Sequence, residues 1–556
     1  MKEDRSFRGE IQLQGLHCPS CGDRVKQSLL MLPGVLEAEV DWEKGQAWVR
    51  SQRKPAKEEV QALLASAGYD LVGWRIEEVR SWEREEHSSE GSPRVIVIGT
   101  GAAGVAGAIT AAELGASVTL VESSVLGGTC VNVGCIPSKI LLQIAEVLHV
   151  ARSHPFEGLS RVELALEAPK LWNQLKDRIR ELREAKYQRV LSAYPTIRLI
   201  YGRARLESPQ KVRVEGPKGE EWLEADRILV ATGSSPAIPR IPGLLETPFW
   251  TSTEALEAGR IPEDLIVLGG SAVGLELGQA FARLGSRVTI LEWQDRILPA
   301  EDPEISETLR RILEKREGIS VLTSFRANRV SWKENRFWLE DETGKRLTAE
   351  SLLVATGRKP NTEGLGLEKL GVKTDARGAI LVNESLQTSV DGIYAAGDCT
   401  NLPQLVYVGA ASGTKAALHM MGKEAKLDLS IVPVVVFTDP QVGTVGWTEA
   451  AARAKGWDVE SRSLPLDQVP RALVNFQTDG FIKLVSDRRT GRLLGGQIIA
   501  PLAGDLIAAL AIALRKEMTW QELAGGLCPY LVMAEGLKLC AQTFQKDVAR
   551  LSCCAG

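Results

Sequence analysis

The sequence predicts an α/β protein organised around two nucleotide-binding units, with an α+β domain after them and a small βαββαβ module before them. Three observations carry this. At 556 residues the chain is too long for one hydrophobic core and divides into roughly three or four domains. Two stretches, "RVIVIGTGAAGVAGAITAAELGASVTLVE" and "LIVLGGSAVGLELGQAFARLGSRVTILE", each run from an apolar strand through a glycine turn into an Ala-rich helix and a second strand, as parallel α/β units do. Residues 1–80 have a different texture, in which short alternating strands are interleaved with two helices.

In that first stretch "GEIQLQGL" alternates like a strand, and "CGDRVKQSLLMLPG" has helical spacing with a glycine stop. "VLEAEVDWEKGQAWVRSQ" reads as two strands about a glycine turn, "AKEEVQALLASAGYD" as a helix and "LVGWRIEEV" as a last strand. The order is ferredoxin-like. Residues 81–93, "SWEREEHSSEGSP", are polar without periodicity and read as a linker. Between the two nucleotide units, "PKLWNQLKDRIRELREAKYQRVL" reads as one long amphipathic helix laced with i,i+4 charge pairs. From residue 434 onward strands mix with one strongly apolar helix, 502–516.

A net charge of -4 and a pI near 6.0 supply no basic field for nucleic acid or anionic lipid. The opening "MKEDRSFRGE" lacks the apolar core of a secretory signal, and "LIAALAIAL" is too short to span a bilayer. A cytoplasmic protein without membrane insertion is expected. Nine cysteines, an odd number, fit a reducing compartment in which thiols act as ligands or redox groups. Six of them form three close pairs: Cys18 with Cys21, Cys130 with Cys135, and Cys553 with Cys554.

In "GTGAAG", Gly99, Gly101 and Gly104 suit the strand-to-helix turn that lets backbone approach a pyrophosphate, and Glu122 ends the next strand, placed for a ribose 2′-OH. "GGSAVG" repeats the design with Gly269, Gly270, Gly274 and Glu292. Two dinucleotides in one chain suggest a flavin and a nicotinamide. Glu292 favours NADH over NADPH by repelling a 2′-phosphate, while the nearby Arg296 could offset that repulsion. "GGTCVNVGCIPSK" holds Cys130 and Cys135. On a regular helix their Cα atoms would be about 8.5 Å apart, beyond disulfide reach, so the turn must be distorted, with Gly134 and Pro137 as the means.

Together with the strands ending "LVATGSSP" and "LVATGRKPN" and with "GIYAAGDC", these motifs make residues 94–556 resemble the flavin disulfide reductases, the class I pyridine nucleotide-disulfide oxidoreductases. The resemblance implies two Rossmann-like domains: an FAD-binding domain at 94–240 and 361–433, and an NAD(P)-binding domain at 241–360. It implies a dimerisation domain at 434–556 joining a homodimer. FAD would be held by Gly99, Gly101, Gly104, Glu122, Gly128, Thr129 and Gly233, with Asp398 on its ribityl chain and Lys139 pairing with Glu276 near the isoalloxazine. Gly269, Gly270, Gly274 and Glu292 would hold NADH or NADPH. Cys135 would be the thiolate against the flavin and Cys130 the outer, exchanging thiol.

Disulfide-reducing members carry a histidine near the C-terminus that protonates the leaving thiolate. Here "LCPYLVMAEGLKLCAQTF" has Cys528 near that place, and the five histidines (17, 87, 149, 154, 419) lie elsewhere in sequence. Two-electron reduction of a metal ion needs no such acid. Adjacent Cys553 and Cys554 form a soft two-point ligand suited to Hg(II), which favours two sulfurs. "GLKLCAQTFQKDVARLSCCAG" resembles the end of the Hg(II)-reducing branch of the family, in which the tail passes the ion to the inner pair of the partner subunit. By the same resemblance Tyr187 and Tyr530 line the metal site. Trp447 stands where relatives often have tyrosine and receives no role. "GLHCPSC" resembles the heavy-metal-associated domain, with Cys18 and Cys21 as metal ligands at a helix start and His17 where threonine is usual; a thioredoxin-like motif is the competing reading of this C-x-x-C. The expected activity is reduction of Hg(II), taken as a thiol complex, to Hg(0) by NAD(P)H through FAD and the cysteine pair, for detoxification. A disulfide reductase or dihydrolipoamide-type dehydrogenase, or a metal-sequestering binding protein, is the alternative.

Overall fold

The computed structural model describes residues 5–16, 19–42, 44–51, 53–80 and 92–548. Cys18, residues 81–91 of the expected linker, Cys553 and Cys554 lie outside the described residues. The chain forms two compact units, divided between residues 90 and 91.

The first unit has the expected order: β1 (Arg5–Gln14), α1 (Pro19–Leu30), β2 (Val35–Asp41), β3 (Gln46–Ser51), α2 (Lys57–Ser66) and β4 (Asp70–Arg80). Its antiparallel sheet runs β2-β3-β1-β4. The sequence patterns dictate which face is covered. Ile11 and Leu13 of β1 point inward while Gln12 and Gln14 are exposed, as a period of two requires. Val25 and Leu29 of α1 and Val60 and Leu64 of α2, spaced by four, complete the core. Each such side chain contributes about 1.5–3 kcal/mol by leaving water.

In the second unit, β5 (Arg94–Ile98), α3 (Ala102–Glu113), β6 (Ser117–Glu122), α4 (Gly128–Val133), α5 (Cys135–Ser153), α6 (Ala168–Arg183), β7 (Ile197–Tyr201) and β8 (Arg227–Val230) build the first nucleotide unit. The second comprises β9 (Asp264–Leu268), α7 (Ala272–Leu284), β10 (Arg287–Leu291), α8 (Pro303–Lys315), β11 (Ser320–Leu322) and β12 (Ser351–Val354). The chain then returns to the first sheet through β13 (Ile393–Ala395) and α9 (Val406–Met420). Both sheets are parallel, in the orders β13-β8-β5-β6-β7 and β11-β10-β9-β12. Strands β5, β8, β9 and β12 are almost wholly apolar and buried because both of their faces are covered. Toward the C-terminus, β14 (Val434–Val436), β15 (Gln441–Gly446), β16 (Val459–Pro465), β17 (Phe481–Asp487) and β18 (Leu493–Ala500) form an antiparallel sheet in the order β14-β15-β18-β17-β16. The apolar helix α10 (Ala503–Arg515) packs on it, followed by the short α11 (Trp520–Gly525) and α12 (Glu535–Gln542).

One reading from the sequence changes. The long amphipathic helix is interrupted: α6 ends at Arg183, and a π-turn spans Glu184–Gln188 before a last helical turn, Arg189–Ser192. A π-turn inserts a residue without altering the charge pattern on either side, so periodicity does not reveal it. Among the described residues, Gly128–Ser153 is the stretch long and apolar enough to cross a membrane by length and composition, with a window of mean hydropathy 1.4. It is two helices, α4 and α5, and α5 packs against α7 by one face, through Leu141, Ala145 and Leu148.

A buried ionic clamp joins these layers. Arg283 of α7, 4% exposed, donates to Glu317 from Nε (2.9 Å) and Nη2 (2.7 Å), to Asp439 and to Glu146 of α5. Gln279 adds bonds to Glu317 (3.1 Å) and to the backbone of Asp439 (2.8 Å). Burial alone would raise the Glu317 carboxyl, but hydrogen bonding and charge from Arg283 outweigh it and hold it below its ordinary value. His149, Glu317 and Asp439 offer three ligand atoms within 4.8 Å of one another. Arg283 and Arg316 already neutralise both carboxylates, so the cluster is a clamp rather than a metal site. Arg283→Met strands these acids and is expected to cost about 3–5 kcal/mol, read as an earlier urea transition of this unit; an unchanged transition contradicts the clamp.

Candidate redox site on the first nucleotide turn

The two glycine turns are built alike. Gly99 and Gly269 have φ of +107° and +121°, and a Cβ at either would lie 2.3 Å from a carbonyl oxygen, of Ala231 and Ala355 respectively. A Cβ at Gly101 would instead meet nothing within 4 Å, which leaves open space at the N-terminus of α3. There the unpaired amides favour an anionic group. The strand-end acids are equally alike. Glu122 accepts from the Thr100 amide (3.2 Å), the Thr100 hydroxyl and the Ser124 amide (2.7 Å). Glu292 accepts from the amides of Gly270 (2.7 Å) and Gln294 (2.9 Å). The open glycine turn beside a fixed carboxylate in the first unit fits a dinucleotide, and the second unit sets its carboxylate against its glycine turn in the same way.

The cysteine segment docks directly on the first turn. The Gly127 amide donates to Thr100 Oγ1 (3.0 Å), and a Cβ at Gly128 would lie 2.6 Å from Gly101 Cα. α4, carrying Thr129 and Cys130, starts there. The helix breaks at Gly134, where a Cβ would meet the Thr129 carbonyl oxygen at 2.9 Å, and α5 begins at Cys135. The expected distortion is therefore a change of helix. Pro137 falls in the first turn of α5, where its missing N–H costs no helical bond.

The break brings the two thiols together, and the Cys130 thiol donates a hydrogen bond to the Cys135 sulfur. That bond, first among the causes, lowers the Cys135 thiol to about 6; burial opposes it, Lys139 assists and Glu276 opposes. Cys130, as the donor, is raised. Cys135 is exposed and Cys130 half-buried. One helical turn on, Lys139 Nζ donates to Glu276 Oε2 (2.7 Å) and sits 4.4 Å from the centre of the Phe437 ring. The Phe437 amide donates to Glu276 Oε1 (2.9 Å). One buried carboxylate thus gathers α5, α7 and the strand end after β14.

Tyr187, on the π-turn, joins this group: burial first, then the charges of Cys130 and Cys135, raise its phenol. The structure thereby assembles Gly128, Thr129, Cys130, Cys135, Lys139, Tyr187 and Glu276. Tyr530 is placed elsewhere in the chain, exposed between α11 and α12. Cys528 nearby is half-buried, its thiol raised by burial and by Glu535. Trp447, 42% exposed, lies under the Lys455 ammonium at 5.7 Å. Cys21 is half-buried in the first turn of α1.

Two residues were not singled out by the sequence reading. Ser234–Pro236 and Arg358–Pro360 pair antiparallel, each directly after an "ATG" strand end and in the first case directly after Gly233. Through this pairing Arg358 donates to Ser234 Oγ (2.7 Å) and the Ser234 carbonyl (2.6 Å), and Ser234 Oγ donates to Asp398 Oδ2 (2.8 Å). Arg358, held below its ordinary value by burial, feels the charge of Cys135. The only signal available was the recurrence of "LVATG". Phe437 had none. If the Cys130 bond sets the thiolate, iodoacetamide labelling of Cys135 in the reduced protein falls off below a midpoint near pH 6. Cys130→Ala and Lys139→Met each move that midpoint upward, toward the ordinary thiol range near about 8.5; an unmoved midpoint contradicts this.

Residues 93–413 match the family model of the pyridine nucleotide-disulphide oxidoreductases, residues 432–541 the dimerisation domain of the same family, and residues 10–70 the heavy-metal-associated domain. A mercuric reductase of Acidithiobacillus ferrooxidans is 48% identical over 98% of this chain and 99% of its own length. One of Shigella flexneri is 46% identical over 98% and 100%. Among solved structures, the HOCl-induced flavoprotein disulfide reductase RclA from Escherichia coli superposes with a TM-score of 0.73 at 30% identity, over 82% of this chain and all of its own. A motif set on one scaffold, relatives matched from end to end and a heavy-metal-associated module converge on one assignment: the chain belongs to the pyridine nucleotide-disulphide oxidoreductases and, among them, to the mercuric reductases.

Proposed function

We propose that this protein reduces Hg(II), presented as a thiol complex, to Hg(0) with NAD(P)H. The observation that carries the reading is the Cys130 and Cys135 pair, seated on the first glycine turn with Cys135 favoured as thiolate. Gly99, Gly101, Gly104, Glu122, Gly128, Thr129, Gly233 and Asp398 would hold FAD, which would supply the conversion of a nicotinamide hydride into an electron pair that a dithiol or a metal ion accepts.

The protein's own groups divide the remaining work. Cys553 and Cys554 exchange with the thiols that carry Hg(II), and Cys130, the more covered and protonated sulfur, exchanges next with the Cys135 thiolate beside it. The Cys135 thiolate and the Cys130 thiol take up the ion, the Cys130 proton leaving with the displaced thiol ligands; when two electrons arrive the mercury–sulfur bonds break, Hg(0) departs and the sulfurs remain. The balance is NAD(P)H + Hg(II) giving NAD(P)⁺ + H⁺ + Hg(0). Lys139 holds positive charge beside Cys135 while Glu276 keeps that ammonium in place. Tyr187 lines the approach to the pair, and Tyr530 belongs to the same path in the homodimer, whose tail from one subunit serves the pair of the other. Cys18 and Cys21 of the first unit collect the ion. The cytoplasm, reducing and rich in NAD(P)H, suits each step.

With Hg(II) in excess glutathione, the holoenzyme is expected to oxidise NAD(P)H continuously and release volatile mercury. Cys135→Ala should cut turnover by roughly 10³-fold, and the Cys553→Ala/Cys554→Ala double variant should lose activity chiefly when competing thiol is abundant. Stoichiometric Hg(II) uptake without continuing NAD(P)H oxidation, or rapid turnover of oxidised glutathione or lipoamide instead, overturns the reading.

A further inference from the structure

We infer that the second nucleotide unit is built for an adenosine with a free 2′-hydroxyl, so that NADH rather than NADPH is the working reductant, and that Glu292 makes the choice. This rests on the reading of that unit as the nicotinamide site and deepens it.

The first observation is a repetition. Glu122 ends β6, Glu292 directly follows β10, and each carboxylate bridges the same two backbone positions. One oxygen accepts from the amide that follows the positive-φ glycine, Thr100 or Gly270, and the other from the amide two residues beyond the acid itself, Ser124 or Gln294. FAD, the ligand of the first unit, has an unphosphorylated adenosine ribose. The same arrangement in the second unit presents the same acceptor at the same place. A 2′-hydroxyl donates to it; a 2′-phosphate meets like charge.

The second observation is that Glu292 has no room to withdraw. It is 4% exposed. Its backbone amide donates to the Leu322 carbonyl and its carbonyl accepts from the Phe325 amide, both at 2.9 Å, which ties it to β11 and to the turn beyond. The Leu298 amide donates to the Gly270 carbonyl (3.0 Å) and folds the loop over 293–298 back onto the glycine turn. A Cβ at Gly270 would stand 3.1 Å from Glu292 Oε2 and 2.9 Å from Ile297.

The third concerns Arg296, the one lysine or arginine in 292–299 and thus the cation within that loop that could receive a 2′-phosphate. Its Nη2 donates to the Pro299 carbonyl (3.0 Å), Asp295 lies 3.9 Å from Nη1, and its Nε is buried without a partner, sealed from any ligand in solvent. Part of the guanidinium's donor set is thus taken up by its own loop, while the side chain as a whole is 36% exposed.

Calorimetric titration of the FAD-loaded protein with NAD⁺ and with NADP⁺ tests this apart from turnover, and KM for NADH and NADPH with Hg(II) gives a second readout. NADP⁺ is expected to bind at least about tenfold more weakly than NAD⁺. Glu292→Gln, which keeps the shape and the acceptor for the Gly270 amide but removes the charge, should narrow the ratio by strengthening NADP⁺ binding. Arg296→Met should leave NADP⁺ affinity unchanged. NADP⁺ binding as tight as NAD⁺, an unaltered ratio in Glu292→Gln, or NADP⁺ affinity lost in Arg296→Met overturns the inference and leaves the proposed function standing. Failure of either dinucleotide to bind overturns the reading of the unit itself.

Discussion

The Lys139–Glu276 ion pair is the constraint around which the site is arranged. Removing a carboxylate from water costs several kcal/mol unless it is satisfied, and here Glu276 is, by a lysine that keeps about a third of its side chain in solvent. Glu276, 7% exposed in its side chain, spends one oxygen on Lys139 and the other on the Phe437 amide, while Lys139 also rests on the Phe437 ring. Three parts of the chain, separated by well over a hundred residues, have to meet for that arrangement to exist. Its consequence is chemical. Lys139 helps to hold Cys135 as thiolate, Glu276 opposes it, and the Cys130 hydrogen bond tips the sum toward a reactive sulfur. The same carboxylate that fixes the architecture therefore moderates the nucleophile.

This pair belongs to a longer polar seam. Cys135, Lys139, Glu146 and His149 recur at helical spacing along one face of α5, and Glu276, Gln279 and Arg283 along one face of α7. The active-site end of the seam is open to solvent at Cys135. The far end is closed by Arg283 with Glu317 and Asp439. A seam of paired charges demands one register, whereas an apolar one tolerates slippage, so the geometry at the thiols is held by contacts made several turns away. Burial together with the neighbouring Arg283 keeps His149 below its ordinary value.

What the sequence discloses is what local rules control. The glycine turns, the acids at strand ends and the break at Gly134 were legible because each follows from backbone geometry within a few residues: a positive φ, a close approach, a disulfide span that a helix cannot close. The βαββαβ module was legible from periods of 2 and 3.6. The pairing of Lys139 with Glu276 came only through family resemblance, since nothing local links residues 137 apart. Arg358 and Phe437 escaped notice because an arginine in a strand-end motif and a phenylalanine in an apolar run carry no signal until the sheets place them. The π-turn that re-aims Tyr187 leaves no trace in the charge pattern. Tyr530 and Cys528 sit on an exposed stretch between two short helices, where local rules say least.

The account stands on the inner thiols as the couple that alternates between bonded and free states during turnover. Peptide mapping by mass spectrometry, with differential alkylation of the protein as oxidised and after anaerobic addition of NADH or NADPH, reads that couple directly. A Cys130–Cys135 cross-linked peptide in the first sample, replaced by two separately labelled thiols in the second, is the predicted result. Thiols that stay free in both samples, or a cross-link that survives the reductant, would contradict it.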